Sequence, residues 1–519
     1  MPPRPRVPHL PPLPPPSTWS THFPRRLLGL SRSEPAKVLR GRTLLASKDH
    51  CDAFVRELGI RPGEVIIEVN PGPGQLTRSL LDGGVRENEE GAWKALDEIR
   101  GVKHKETTSG GTGSAESSET VPTAGNDHIK PALVAVSEPS PAILERGFGF
   151  ETSNSNSYLE PSEREPGHSI LPTPNKYTFF QIDHVSWPMN VTQSEHHPNL
   201  ILSESSAYRW PTLPEILSDP LVLPYVEKMT PDAQKAGQAG RRKWDAEEPP
   251  ITVVVTIPDS VIGEQMLAQW IGSVVGATDG RHWIWQYGRV RLAVLCGKGL
   301  YDRIMARPRE TINCKLSIMT SSLFHRRPLP PYHHVPNVDK SSKRVAGSPI
   351  TSGRLRSSPA VQALIDPSEG NWTQDPTITY PTDFFPPSIP ANSRDPLPRP
   401  TLLGICLTPR LTSPVLPHQK DAWDFVLRNC FIRETQPISE ATTNLGFGAE
   451  NLLERFEDEK EGYRERWRGE PVGGKTKVKD LSNEQWARVV DVFDKWAFKP
   501  ETLMLATDAI DGSRELGVD

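Results

Sequence analysis

Residues 64–81 read E-V-I-I-E-V-N-P-G-P-G-Q-L-T-R-S-L-L, and this stretch decides the fold. Val65, Ile66, Ile67 and Val69 form a short apolar run, as in a strand buried on both faces of a parallel sheet. Asn70-Pro71-Gly72-Pro73-Gly74 breaks the run. Gly72 and Gly74 allow positive φ and close backbone approach. From Gln75 the pattern turns helical, with Leu76, Leu80 and Leu81 on one side. Strand, glycine turn and helix together place a nucleotide-like ligand over strand ends and a helix N-terminus. Glu68 is the unusual residue, a carboxylate within an apolar strand, placed to order the turn or to help hold a cationic ligand.

Working outward, the helix is expected to stop at D-G-G, residues 82–84. A polar, low-complexity stretch then separates it from a strand over 132–136, which ends in Ser137-Glu138-Pro139. An acid at the end of a second strand is where a Rossmann-like fold meets a ribose hydroxyl pair. Glu138 is the ribose candidate, against the alternative of a solvated loop carboxylate. Residues 177–184, Y-T-F-F-Q-I-D-H, read as a strand ending in Asp183. The β-branched run I-T-V-V-V-T-I-P-D, residues 251–259, marks the centre of the sheet. A helix over 263–275 follows.

In H-W-I-W-Q-Y-G-R-V-R, residues 282–291, Trp283, Trp285 and Tyr287 alternate ahead of Arg289 and Arg291. Two readings stand: a strand with a half-buried aromatic face, or an aromatic and arginine platform for nucleic acid. A basic helix over 298–308 contributes Arg303 and Arg307, and Arg309 follows it. Clustered, these would form a local positive face suited to phosphates. Residues 401–409 read as an edge strand. From about 413 the chain is helical, and Ser482 with Gln485 forms a capping box.

The bulk composition limits what the chain can be. Of 519 residues 54 are proline and only 36% are apolar, so sizeable segments should not join a core. Net charge is −4, so any attraction for nucleic acid must be local. The five cysteines are widely spaced, with no C-x-x-C pair, which reads as reduced thiols without zinc or disulfides. No apolar run is long enough to span a membrane, and no metal site is expected. The first 48 residues are arginine-rich, with Glu34 the only acid. That is a mitochondrial presequence composition, or else a generic basic tail.

The order of these motifs resembles the rRNA adenine N6-dimethyltransferase family. G-R-T-L-L (41–45), P-G-E-V-I-I-E-V-N-P-G-P-G-Q-L-T (62–77), A-R-P (306–308) and F-F-P-P (384–387) carry the resemblance. W-D-F-V (423–426) and L-S-N-E with W-A-F-K-P-E (481–484, 496–501) are similar to its fungal mitochondrial transcription factor branch. The resemblance implies a Rossmann-like S-adenosylmethionine methyltransferase fold, α/β with a seven-stranded mixed sheet, followed by a small helical domain. It implies a cofactor site at Glu68, Asn70, Gly72, Gly74, Glu138, Asp183 and Thr256. We read that site as vestigial, because Asn70 stands where the family usually has glycine. The family's catalytic motif, [N/D]-[L/P]-P-[Y/F], is Thr256-Ile257-Pro258-Asp259 here, and only the proline matches. Threonine is a poorer acceptor for a target amine than asparagine, and aspartate cannot stack on a flipped base.

The expected layout is a presequence over 1–40, an α/β domain over 41–410 and a helical nucleic-acid or polymerase-binding domain over 411–505. An acidic tail covers 506–519. Insertions are expected at about 100–130, 151–176 and 328–380. The resemblance further implies a mitochondrial matrix protein that binds promoter DNA and a mitochondrial RNA polymerase. The alternative is an active, RNA-binding rRNA dimethyltransferase. The nucleic-acid candidates are Trp283, Trp285, Arg289, Arg291, Arg303, Arg307 and Arg309.

Overall fold

A computed structural model describes residues 10–23, 43–84, 129–150, 191–228, 241–258, 260–275, 283–331, 383–385, 402–458, 470–501 and 503. Ten strands are described: β1 (Leu44–Leu45), β2 (Val65–Val69), β3 (Leu133–Ser137), β4 (Val191–Gln193), β5 (Leu200–Ser203), β6 (Ile251–Thr256), β7 (Arg291–Gly297), β8 (Phe324–Leu329), β9 (Phe384–Phe385) and β10 (Leu402–Pro409). Eight form one sheet in the order β4-β5-β3-β2-β6-β7-β10-β8, while β1 and β9 make a separate antiparallel pair.

Strands β5, β3, β2, β6 and β7 run parallel. β10 is antiparallel to both β7 and β8, and β4 is antiparallel to β5. Without β4, the order by chain position is third, second, first, fourth, fifth, seventh, sixth. That is the methyltransferase-type sheet expected from the sequence, with β4 added at one edge. Its strand order reverses beside β2, so the crevice at the carboxyl ends of β2 and β6 is a topological switch point.

Side-chain alternation along β2 explains its continuous burial. Val65, Ile67 and Val69 enter the core on one face and Ile66 the core on the other. The first core includes Trp270 from the helix Val261–Gly272, whose start is capped by Ser260 Oγ accepting from Gly263 N at 3.2 Å. It continues without a break into the C-terminal helices through Trp423, Trp486 and Phe493. The capping box at Ser482 and Gln485 forms, at 3.0 and 3.2 Å.

Three expectations need correction. Residues 282–296 are not one alternating strand, because 283–287 form a 3-10 turn and only Arg291–Gly297 is a strand. Residues 402–409 are not an edge. The strand Phe324–Leu329, absent from the sequence reading, pairs outside them and takes the edge. Within the expected presequence, residues 10–23 are packed rather than a free tail, since Trp19 and Phe23 are buried against Leu44, Ala46, Ile143 and Phe385. The expected insertions lie almost wholly outside the described residues, although 328–331 belong to β8 and the turn after it. Among the described residues no helix is long and apolar enough to cross a membrane. None of their His, Cys, Asp and Glu side chains form a group of three or more that could hold a metal. All five cysteines are free thiols.

Candidate functional site: the crevice at the ends of β2 and β6

The glycine turn is built as its sequence requires. Asn70, Gly72 and Gly74 have φ of 58°, 60° and 88°, all left-handed. Asparagine tolerates that region better than most side chains, so the backbone path survives the loss of glycine at 70. Its side chain, however, turns into the switch point. Asn70 Nδ2 donates to the Thr256 carbonyl at 3.3 Å, tying the end of β2 to the end of β6. The turn is also packed from outside. A Cβ on Gly72 would collide with Leu44 Cδ1, and one on Gly74 would lie 2.5 Å from Phe148 Cζ.

Arg78 holds this arrangement together. Its guanidinium donates to the carbonyls of Pro73, Gly74, Gly147 and Pro11, at 3.3, 2.9, 2.8 and 2.5 Å. Burial outweighs the attraction of Glu68 and Asp82 and brings the group down to about 10. Glu68 lies beneath, buried, and neither carboxylate oxygen has a hydrogen-bond partner of ordinary geometry. Burial is the largest influence and drives its carboxyl up to about 8. The nearby Thr77 hydroxyl and Arg78 pull the other way, and Glu138 adds to the rise. Glu68 is thus a neutral acid over much of the physiological range, which weakens it as a partner for a cation.

Glu138 sits at the end of β3, as expected, but it is buried and turned inward. Its Oε1 accepts from Ser140 N at 3.1 Å, and its own N–H donates to the Ser203 carbonyl at 3.1 Å. Beside it, Ser137, Ser203 and Ser205 form a buried hydroxyl cluster, with Oγ···Oγ separations of 3.1 and 2.7 Å. Asp183 lies outside the described residues. The strand beside β3 is β5, and the acid after it is Glu204, whose carboxyl is raised by burial. Sequence reasoning missed Glu204 because L-I-L-S-E is too short to stand out. It also missed Arg78, Leu44 and Phe148, which close the turn.

At the end of β6, Thr256 and Ile257 are buried and Ser260 begins the next helix. Asp259 lies outside the described residues. The Thr256 carbonyl accepts from the Asn70 amide at 3.3 Å. These residues do not fit S-adenosylmethionine in the arrangement described. The cradle over the two glycines is filled by Leu44 and Phe148, the ribose acid is turned inward, and an amide side chain spans the crevice.

The nucleic-acid candidates are dispersed, and most need correction. Trp283 and Trp285 are 5% and 1% exposed and cannot present a stacking face. Their indole N–H groups donate inward, to the Trp210 carbonyl at 2.8 Å and Ser273 Oγ at 2.7 Å. Arg291 is buried at the opposite end of the strands, where it donates to Glu64 at 2.8 Å, Thr252 Oγ1 at 3.0 Å and the Leu58 carbonyl at 3.0 Å. Arg289 pairs with Glu248 at 3.4 Å and donates to the Ala246 carbonyl at 3.0 Å. Arg303 pairs with Glu264. Arg307 is half-buried and Arg309 exposed, in a loop anchored by the Arg309 N–H on the Lys479 carbonyl at 3.0 Å. Among the described residues, the exposed indole is Trp210, 44% exposed and stacked on Trp283 with centroids 4.6 Å apart and planes at 18°.

No family model matches the chain. Over 246 residues it is 24% identical to mitochondrial transcription factor 1 of Lachancea kluyveri, an overlap of 47% of this chain. The chain spans only 56% of the length of that curated relative. Among solved structures, the 23S rRNA methyltransferase ErmE overlaps at a TM-score of 0.36 with 12% identity, covering 87% of this chain and 100% of that one. A dimethyladenosine transferase from Plasmodium falciparum overlaps at 0.37 with 10% identity, covering 87% and 98%. Overlaps that loose add nothing to the strand order, which identifies the fold by itself. The chain is similar to a mitochondrial transcription factor, in agreement with the branch that its motif order resembles.

Proposed function

We propose that this protein is a mitochondrial transcription initiation factor on a methyltransferase-type fold. It binds promoter DNA and confers promoter recognition and melting on the mitochondrial RNA polymerase, in the matrix. The observation that carries the reading is the Asn70 side chain on the Thr256 carbonyl. It lays an amide across the switch point at the ends of β2 and β6, where a ligand would approach, while the overall scaffold is kept. A scaffold that retains its shape and loses its chemistry suits a protein that still handles unpaired bases without modifying them. The similarity to mitochondrial transcription factor 1 supports the positive half of the proposal.

In this reading the cofactor site is vestigial. The residues that meet DNA in this reading are Trp210, stacked on Trp283, and, elsewhere on the fold, the half-buried Arg307 and the exposed Arg309. A rigid indole receives an unpaired base at low entropic cost, and stacking of this kind tolerates any base. The competing reading is a working rRNA dimethyltransferase, and it is favoured by acids kept at the ends of two strands, Glu68 and Glu138. One experiment separates them. The purified protein is added to its own mitochondrial polymerase on a promoter template, and in parallel to small-subunit rRNA with labelled S-adenosylmethionine. Promoter-specific transcripts without dimethyladenosine support the proposal. Dimethyladenosine without stimulated transcription overturns it.

A further inference from the structure

Residues 10–23 are proline-rich and lie in the part of the chain whose composition resembles a removable presequence. They are nonetheless built into the fold. Trp19 and Phe23 are fully buried, with ring centroids 6.2 Å apart, and Trp19 also meets Phe385 at 5.6 Å. Their core is completed by Leu44, Ala46 and Ile143. Leu44 is the side chain that fills the space over Gly72, and Ile143 belongs to the helix Pro141–Phe148 that follows Glu138. The backbone is anchored as well. Arg78 Nη2 donates to the Pro11 carbonyl at 2.5 Å and Arg146 Nη1 to the His22 carbonyl at 2.7 Å. The Trp19 indole N–H donates to the Pro14 carbonyl at 2.8 Å, which closes the segment on itself.

One guanidinium therefore holds the glycine turn, the helix after Glu138 and the N-terminal segment together. We propose that residues 11–23 are a permanent strap of the mature protein, which clamps the glycine turn against the helix Pro141–Phe148. Cleavage after residue 40 would expose Leu44, Ile143 and Phe385 and leave Arg78 and Arg146 without those two carbonyl partners. Loss of a partner by the largely buried Arg78 and loss of the aromatic occupants from their pocket both destabilise, whereas Arg146 is exposed and loses only a surface contact. The basic residues 25–42 lie between residues 10–23 and Leu44 in the sequence, so cleavage within them would release the strap. Import, if the mitochondrial reading holds, proceeds without removal of the strap.

Two measurements on the full chain test this. The first is the N-terminal sequence of the protein recovered from mitochondria. A start at or before residue 10 is expected, and a start beyond Pro11 overturns the proposal. The second needs no organelle, so it stands even if the mitochondrial reading fails. Hydrogen exchange is compared between the wild type, Trp19→Ala and Arg146→Ala. The wild type is expected to protect the amides of residues 74–80 and 143–149. Trp19→Ala should raise exchange there at least tenfold while strand β6 stays protected. Arg146→Ala, the milder change, should loosen residues 18–23 first. Unchanged protection of the turn in both variants would show that the segment merely rests on the surface.

Discussion

Glu68 offers the sharpest test of how the crevice is built. Its carboxyl is driven by burial from an ordinary 4.5 to about 8, with Arg78 and Thr77 only partly opposing the rise. The folded state therefore binds a proton that the unfolded chain releases, and stability falls as pH rises between those two values. The wild type carries no penalty from this group below pH 4.5. The penalty grows through neutrality and levels off above about 8. At about 1.4 kcal/mol per pH unit the whole span is worth roughly 5 kcal/mol, an upper figure because buried sites relax. Glu68→Gln keeps the shape and cannot ionise. It carries a constant cost of about 1–3 kcal/mol for its own unpartnered amide, independent of pH. The difference in unfolding free energy between variant and wild type is thus expected to move in the variant's favour by several kcal/mol from pH 5 to pH 8. Urea unfolding of both proteins at pH 5, 6, 7 and 8 reads this directly. If the difference is flat across that range, Glu68 is already ionised and paired in the folded protein. The crevice is then not a dry, closed site.

Other expectations follow from the same geometry. Calorimetry with S-adenosylmethionine should detect no binding to the wild type, and Asn70→Gly should bind more tightly if the amide bridge is the obstacle. Equal titrations for the two proteins would place the obstacle elsewhere. Arg291→Met should cost about 1.5–3 kcal/mol by removing one of the two guanidinium partners of Glu64, a buried acid that keeps Arg61. Burial alone would raise that carboxyl, yet Arg291, Arg61 and the Thr252 hydroxyl hold it below the usual range. A loss under about 1 kcal/mol in urea unfolding would contradict that network. Replacing Arg307 and Arg309 by glutamine should flatten the salt dependence of promoter binding by about one unit for each arginine that meets a phosphate. The same change at Arg289 should leave the slope alone, because its charge is spent on Glu248. Trp210→Ala should weaken single-strand binding by about 1–3 kcal/mol, beyond the loss of its stacked contact on Trp283, which should lower unfolding free energy by about 0.5–1.5 kcal/mol or somewhat more.

The sheet was legible because β2 and β6 are apolar, β-branched runs bounded by turn residues, a pattern typical of strands buried on both faces. The acid at the end of β3 was legible for the same reason. The aromatic segment was misread because W-I-W-Q-Y satisfies a period of two as well as it satisfies burial on all sides. Trp283 adopts φ of 60°, a conformation that propensity does not anticipate for an indole. The arginines were misread because sequence density does not report pairing. Arg291 meets Glu64, 227 residues away, and Arg303 meets Glu264, 39 away. A basic stretch becomes a basic surface only where such partners are missing.

Asn70 shows how a single position carries both halves of the functional proposal. The turn demands a left-handed residue there, and glycine and asparagine are the two that meet the demand most readily. Glycine leaves the space above the turn empty, so a ligand can approach the backbone. Asparagine keeps the same φ but fills that space with an amide, which finds the nearest acceptor, the Thr256 carbonyl. On the proposed function, asparagine at this position costs the fold little and narrows the room that a cofactor would need. Few other residues could do both. A β-branched side chain would strain the turn, and serine would not span the 3.3 Å link as a donor from the same backbone. Under the proposed function, one side chain would keep the turn's backbone path while placing an amide where a cofactor or base would approach.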